Sequence, residues 1–268
     1  MSTFVTCSLA DIRPAILANT GYNESLRKKG EEILENPNFK ELKPGEWKKF
    51  KSVQFIIKDV WKSKFVRFFT PIKEDEPRLR VFIDFEKDAM EIEFLSGQSK
   101  GLIYGLVKKD TYQVAADTGK VFIADDEVRV YLESLRLYLT LPWRLKEFPI
   151  LMYSGKISVN GADYESLYLT SVQPEANPDT DQYVAYLEKS SGALEWIQFT
   201  YRELFGFYKG VLKYGFYEPW LDKQYPRRIT ILDSFADSNF VHEIRIEKIE
   251  IPKPTQTLTE EDKVLELE

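Results

Sequence analysis

The chain has 268 residues, of which 43% are hydrophobic and 14% aromatic, and it carries a formal net charge of −6. A chain of this length buries about three quarters of its unfolded surface, which is enough for a sizeable core in a single β domain. Lys and Arg are scattered among a larger number of acids, which argues against nucleic acid as a partner because phosphate binding needs a concentrated basic surface.

The single cysteine and the hydropathy of the sequence bear on the cellular location of the protein. Cys7 is the only cysteine, so no intramolecular disulfide can form. The first residues lack the basic region and apolar stretch of a signal peptide, and no apolar run approaches the ~20 residues that span a bilayer. We expect no transmembrane segment, although peripheral membrane association is compatible with the sequence. The protein is then either cytoplasmic, or periplasmic or outer-membrane associated if a leader has been removed.

The N-terminal segment, residues 9–36, is predicted to be helical. Pro14 fits only the first turn of a helix. Asn23 has the side chain of an N-cap for residues 24–35, where apolar residues recur on one face.

Beyond Trp47 the apolar residues alternate with a period of two, which predicts successive strands with one buried face. Short charged or Gly-containing connections suit hairpins and a meander. The predicted strands cover residues 53–58, 65–69, 79–85, 90–94, 102–107, 112–123, 150–159, 164–172, 182–188, 194–201, 211–217, 227–232 and 241–251.

One helix interrupts the strands, and we place it at residues 126–140. Asp125 or Asp126 can cap its N-terminus, and its end is expected before Pro142. Its apolar residues recur at helical spacing, at Val128, Leu132, Leu135 and Leu139.

The strand spacing is continuous across this helix, which predicts one domain over residues 1–251, with a division near residue 145 as the alternative. Residues 252–268 are rich in Pro, Thr and acids, and they are predicted to form a disordered acidic tail.

The sequence offers no familiar catalytic or cofactor-binding motif. His242 is the sole histidine, which nearly excludes His-dependent triads and metal sites built from several histidines. We expect His242 to be a half-exposed residue of the last strand, because strand faces alternate. No glycine-rich loop has the spacing that holds a phosphate. We therefore predict no metal, no cofactor and no catalytic residue.

The alternative to a binding protein is an enzyme, because an active site assembled from distant strands would not be visible in the sequence. General acid–base catalysis needs carboxylates held opposite one another in a cleft. Gathering of Asp181, Tyr201, Arg202 and Glu203 in one pocket would favour a carboxylate-dependent hydrolase, and their dispersal would count against it.

The segment from Trp196 to Pro226 is the most distinctive part of the chain, since it contains eleven aromatic residues with interleaved charges. One interpretation is an aromatic wall for a lipid or another hydrophobic ligand. The other is the packed interior of a curved sheet, which is the more frequent role of buried aromatics.

The order of elements, with helices first, then a meander, a central helix and an aromatic second half, resembles the LolA/LolB-like superfamily of bacterial envelope proteins. The resemblance covers roughly residues 10–251. Its local features are Trp143-Arg144, Asn160-Gly161 before residues 164–168, residues 181–187 leading into residues 190–192, and residues 225–229.

The resemblance implies a mainly β (α+β) fold, in which a large curved antiparallel sheet forms an unclosed barrel and the central helix acts as a lid. It also implies a cavity for a lipid, an acyl chain or a lipoprotein. From it and from the aromatic pattern we predict a non-enzymatic carrier, with an envelope scaffold protein with a filled core as the alternative. The residues expected to line the cavity or lid are Leu132, Leu135, Leu139, Trp143, Trp196, Phe199, Tyr201, Tyr214 and Phe216.

Overall fold

The computed structural model describes residues 9–36, 49–203, 206–221, 223–236 and 240–252. Cys7 and nearly all of the predicted tail, residues 253–268, lie outside these ranges. Within the described part of the chain, no helix is both long enough and apolar enough to cross a membrane.

The fold is mainly β, as predicted. Its thirteen strands are β1 Ser52–Trp61, β2 Arg78–Asp84, β3 Ala89–Phe94, β4 Ile103–Val107, β5 Asp110–Ala115, β6 Gly119–Ile123, β7 Ile150–Val159, β8 Ala162–Thr170, β9 Gln182–Glu188, β10 Leu194–Thr200, β11 Lys209–Trp220, β12 Lys223–Leu232 and β13 His242–Glu250. The helices are α1 Ala15–Thr20, α2 Glu24–Glu35, α3 Lys64–Phe68 and α4 Asp126–Arg144, and a 3₁₀ turn, Leu145–Glu147, follows α4.

All thirteen strands belong to one antiparallel sheet, in the order β6-β5-β4-β3-β2-β1-β13-β12-β11-β10-β9-β8-β7. The first strand pairs with the last, so two meanders meet in the middle of the sheet. β6 and β7 form its two edges and are not paired with each other in the described chain, which leaves an unclosed barrel. Register shifts at Ile56/Ile57 and at Tyr153/Gly155 mark irregularities, and bulges of this kind bend a strand and increase its twist.

The N-terminal helices follow the prediction except at the start. The Asn23 side chain accepts a hydrogen bond from the backbone N–H of Leu26 at 3.1 Å, which is the predicted cap of α2. Residues 9–14 precede α1 and are not helical.

Residues 65–69 were predicted to form a strand, and that prediction is wrong because they belong to α3 and its C-terminal cap. The Ser63 side chain caps this helix by accepting from the N–H of Val66 at 3.3 Å. Phe65 and Phe69 lie one helical turn apart and their rings touch edge to face. The alternation of Phe with Val and Arg imitated a strand, since a single helical turn is too short to reveal its own period.

Helix α4 begins as predicted, since the Asp125 side chain accepts from the N–H of Val128 at 3.0 Å. Its predicted end before Pro142 is wrong, because the helix continues to Arg144. A proline inside a helix leaves the carbonyl four residues earlier without its N–H donor. That carbonyl belongs to Tyr138, and the hydroxyl of Tyr214 on β11 donates to it at 3.1 Å. The sheet thus satisfies the backbone group that Pro142 frees.

Two hydrophobic clusters cover opposite faces of the sheet. The larger cluster lies on the concave face and includes the apolar side of α4 and Leu34 of α2. The smaller cluster lies on the opposite face, behind β7 to β12, and includes Ile12 and Leu17 of the N-terminal segment. Alternate residues of one strand point into different clusters, as Tyr183 and Val184 of β9 show.

Candidate functional site

A cavity of about 590 Å³ opens on the concave face, between α3, the N-terminal half of α4 and the strands β1, β10, β12 and β13. Its volume falls within the range of small-molecule sites, which is roughly 300–1,000 Å³. The wall is mainly apolar and aromatic, and much of it is formed by Phe65, Phe69, Tyr138, Phe199, Tyr208 and Phe240.

The mouth of the cavity carries exposed aromatic side chains. Phe65 is 73% exposed and lines the cavity, whereas Phe68, 75% exposed, is on the same helix but outside the lining. Phe69 contacts both rings edge to face, at centroid distances of 5.4 and 5.5 Å. Exposed aromatics in a contiguous group are typical of surfaces that meet an apolar partner, and here they form the rim of the cavity.

A buried polar cluster forms part of the cavity wall. Asp59 of β1 is fully buried and its Oδ2 accepts from the Trp61 indole N–H at 2.7 Å and the Tyr131 hydroxyl at 2.8 Å. His242 Nε2 contacts Asp59 Oδ1. The imidazole and the Trp61 indole are stacked, with centroids 3.8 Å apart and planes at 10°. The cluster therefore joins β1, β13 and α4 through one carboxylate.

Burial sets the protonation of the tyrosines around the cavity. It raises the pKa of Tyr131, and the adjacent Asp59 carboxylate raises it further, so the hydroxyl stays protonated and donates. Burial likewise raises the pKa of Tyr138 and Tyr201. The Tyr201 hydroxyl lies 2.7 Å from that of Ser134 on α4, and this contact connects the far wall to the helix.

Three of the nine residues predicted to line a site, Leu135, Phe199 and Tyr201, lie in the wall of this cavity. Leu132, Leu139, Trp143 and Tyr214 are buried in the concave-face cluster away from it. Trp196 belongs to the cluster on the opposite face. Phe216 is exposed, and the Arg228 guanidinium lies over its ring at 4.0 Å.

Sequence reasoning missed the polar cluster and the rim. His242 was predicted to be half exposed, which is wrong, because it is 5% exposed and lines the cavity. The available signal was the sequence Asp59-Val60-Trp61, in which a carboxylate and an indole share the buried face of a strand. Phe65 and Phe69 were missed because their segment was assigned to a strand.

Beyond the cavity, the concave face is filled by aromatic packing. Trp143, in the last turn of α4, stacks on Trp220 at 5.4 Å and contacts Tyr225 at 5.0 Å, ring centroid to ring centroid. The Tyr225 hydroxyl donates to the carbonyl of Leu139 at 2.5 Å. Helix α4 therefore has a hollow end, where it borders the cavity, and a filled end around Trp143, where side chains occupy the space between the helix and the sheet.

The four residues whose gathering would favour an enzyme, Asp181, Tyr201, Arg202 and Glu203, do line one cleft of about 300 Å³ beside α4. Burial raises the pKa of Asp181, whose Oδ1 accepts from the backbone N–H of Arg202 at 2.8 Å. The Arg202 guanidinium donates to the carbonyls of Ala10, Thr180 and Gly206, and Glu203 pairs with Arg129 at 3.1 Å. These contacts attach the N-terminal segment and α4 to the sheet, so Arg202 and Glu203 have a structural role in this cleft.

A metal centre has no donor set in the part of the chain that the structure describes, where no three His, Cys, Asp or Glu side chains are grouped to hold an ion. The lining of the cavity offers apolar contact and a few hydrogen-bonding groups at its polar wall.

The fold resembles that of LolA superfamily proteins, as predicted. A LolA superfamily protein from Nitrosomonas europaea superposes with a TM-score of 0.53 at 12% identity, covering 87% of this chain and 98% of that chain. A candidate outer membrane lipoprotein-sorting protein domain from Vibrio parahaemolyticus gives 0.51 at 13% identity, covering 88% and 96%. A DUF1329 family protein from Desulfovibrio piger gives 0.53 at 10% identity, covering 87% and 95%. At these identities the likeness concerns the fold alone. Comparisons with protein-family models and with curated proteins give no match.

Proposed function

We propose that this protein binds or carries a hydrophobic ligand, a lipid, an acyl chain or the acylated part of a lipoprotein, in the bacterial cell envelope. The observation that carries the proposal is the apolar cavity of about 590 Å³ on the concave face of the sheet. The scaffold alternative requires a concave face that is filled by the protein's own side chains, and a cavity of this size does not fit that requirement.

The cavity has the features of a site for an acyl chain. Apolar contact is non-directional and grows with the area removed from water, so an aromatic cavity of this size needs no charged anchor for the chain itself. Leu135, Phe199 and Tyr201 would contact the ligand directly, and Phe65 and Phe69 would meet it at the mouth. Helix α4 would act as one wall as well as a cover.

The likeness of fold supports the same proposal for the cellular setting. One of the similar structures is described as an outer membrane lipoprotein-sorting domain, and we carry this role over to the present chain. A periplasmic or outer-membrane-associated location follows from that role.

The test is direct detection of a ligand. Purified protein is extracted with organic solvent and the extract is analysed by mass spectrometry, and ligand-free protein is titrated with a fluorescent fatty acid. We expect a co-purified lipid or saturable uptake close to one ligand per chain, with displacement by unlabelled fatty acid. Absence of both a bound lipid and uptake would overturn the proposal and favour the scaffold alternative.

A further inference from the structure

The only histidine of the chain presents an unused nitrogen at the cavity. His242 lines the wall and is 5% exposed. Its Nε2 contacts Asp59, whereas no described residue forms a hydrogen bond with Nδ1. Among the described residues, Arg227 Nη1 is the one fully buried side-chain nitrogen or oxygen without a partner. Nδ1 of His242 has no partner either, so it is not fully buried and part of its surface faces open space. The space that His242 borders is the cavity.

The surroundings of His242 determine what this nitrogen can bind. An indole N–H only donates, so Asp59 acts as an acceptor towards Trp61 and, at the same oxygen, towards Tyr131. The other oxygen of Asp59 then accepts from Nε2–H of His242. A hydrogen bond at one ring nitrogen fixes the state of the other. With its proton on Nε2, the imidazole offers Nδ1 as a hydrogen-bond acceptor.

A purely structural role for the cluster does not use Nδ1. Asp59 already joins β1, β13 and α4 through its three partners, and the imidazole is already stacked on Trp61. A ligand that fills the cavity would cut Nδ1 off from water, and an acceptor that is cut off from water without a new partner is costly. Nδ1 therefore has a hydrogen bond to gain from whatever occupies the cavity.

We infer that the ligand of the proposed carrier is an amphiphile whose end group donates a hydrogen bond, a carboxylic acid or an alcohol, and that this end group binds His242 Nδ1. This inference rests on the proposed function and specifies its ligand. An alcohol or a protonated carboxyl group brings one proton, which lies between its oxygen and Nδ1. The carboxylate that predominates at neutral pH has to take up this proton from the solvent as it binds. A methyl ester of the same chain has no such proton and leaves Nδ1 unpaired.

The first measurement compares the affinities of palmitic acid, hexadecanol and methyl palmitate for the ligand-free protein. One net hydrogen bond contributes about 1 kcal/mol, so we expect the alcohol to bind about fivefold more tightly than the ester. The acid should show the same advantage when the pH is low enough to protonate it, below about 4, and should lose it as the pH rises. Equal affinities for all three would overturn the inference and leave the proposed function standing. If none of the three binds, the proposed function fails, which is a different outcome.

The second measurement uses His242→Gln. The glutamine amide can still donate to Asp59, but it has no nitrogen at the position of Nδ1. We expect the preference for acid and alcohol over the ester to disappear, whatever change the substitution makes to the affinity for the ester. Glu243→Gln is the matched control, because Glu243 is the next residue of β13, is equally buried and does not line the cavity. A preference that survives in His242→Gln would contradict the inference.

The third measurement needs no substitution and decides the matter if His242→Gln does not fold. Because the chain contains one histidine, histidine labelled with ¹⁵N reports on His242 alone. Palmitic acid and hexadecanol should each shift the Nδ1 resonance, and methyl palmitate should leave it near its position in the free protein. An Nδ1 resonance that does not respond to bound palmitic acid would reject the contact.

Discussion

The two ends of helix α4 meet the same sheet in different ways. At the C-terminal end, Trp143 fills the space between helix and sheet by stacking against Trp220 and Tyr225. Nearer the N-terminus, the side chains of Tyr131 and Tyr138 border a cavity of about 590 Å³. Both ends are rich in aromatic residues, so aromatic content alone does not distinguish a core from a binding site.

The difference lies in what occupies the space between the helix and the sheet. Hydrogen bonds attach the helix at both ends, because tyrosines of the sheet donate to helix carbonyls at the filled end and the Tyr131–Asp59 and Ser134–Tyr201 contacts are among the attachments at the hollow end. At the filled end, large rings occupy the gap between these contacts. At the hollow end, Tyr131, Ser134 and Tyr201 form part of the cavity wall. The two ends therefore differ in their ring packing and not in the kind of contact that attaches the helix.

The largest effect is expected from Trp143→Ala, which creates a void in the filled end. Truncation of a buried Trp costs about 3–5 kcal/mol, and Trp143 stacks on two other rings. We expect the free energy of unfolding, measured by urea denaturation, to fall by about this amount. Because Trp143 lies outside the cavity lining, the affinity of the folded variant for a fluorescent fatty acid should stay within about twofold of wild type.

If Trp143→Ala lost affinity in proportion to its loss of stability, the filled and hollow ends of α4 would not be independent, and the distinction between them would be wrong.

The next effect is expected from Val130→Trp, which fills the hollow end. Val130 lies in the cavity wall on α4, and the larger side chain would enter the space that the ligand needs. We expect the affinity for the fluorescent fatty acid to fall more than tenfold, or by more than about 1.4 kcal/mol, with little change in the free energy of unfolding. The control is Val172→Trp, because Val172 is exposed and away from the cavity. Unchanged affinity in Val130→Trp would mean that the cavity is not the site.

Most of the fold is predictable from the sequence because strand alternation and helix caps are local signals. Residues 182–188 were predicted to be a strand and form β9 with the same bounds, and Asn23 and Asp125 cap their helices as expected. The failure at residues 65–69 is local, since one helical turn is too short to show its period, whereas the failure at Pro142 occurred where a distant contact overrides a local rule. Pro142 ends a helix unless another group binds the freed carbonyl, and the group that does so, the Tyr214 hydroxyl, is 76 positions away from that carbonyl's residue.

The site was less predictable, because it depends on pairs of residues that are distant in sequence. Aromatic spacing led to Phe199 and Tyr201, which line the cavity, but equally to Trp196, which lies on the other face. Nothing in the neighbourhood of His242 indicates that its partner is Asp59, 183 positions earlier. The pairing of the first strand with the last brings the two together, and single-strand patterns carry no information on that register.

The smallest effect is expected at the rim, where Phe65 and Phe68 form a matched pair on one helix. Both are highly exposed, but only Phe65 lines the cavity. Phe65→Ala removes apolar surface at the mouth, and we expect the affinity for the fluorescent fatty acid to fall about threefold, or by about 0.7 kcal/mol. Phe68→Ala should leave the affinity unchanged, because Phe68 is not part of the cavity lining. Equal losses in the two variants would indicate that the exposed apolar surface of α3 as a whole contributes to binding. The binding site would then include residues outside the cavity wall.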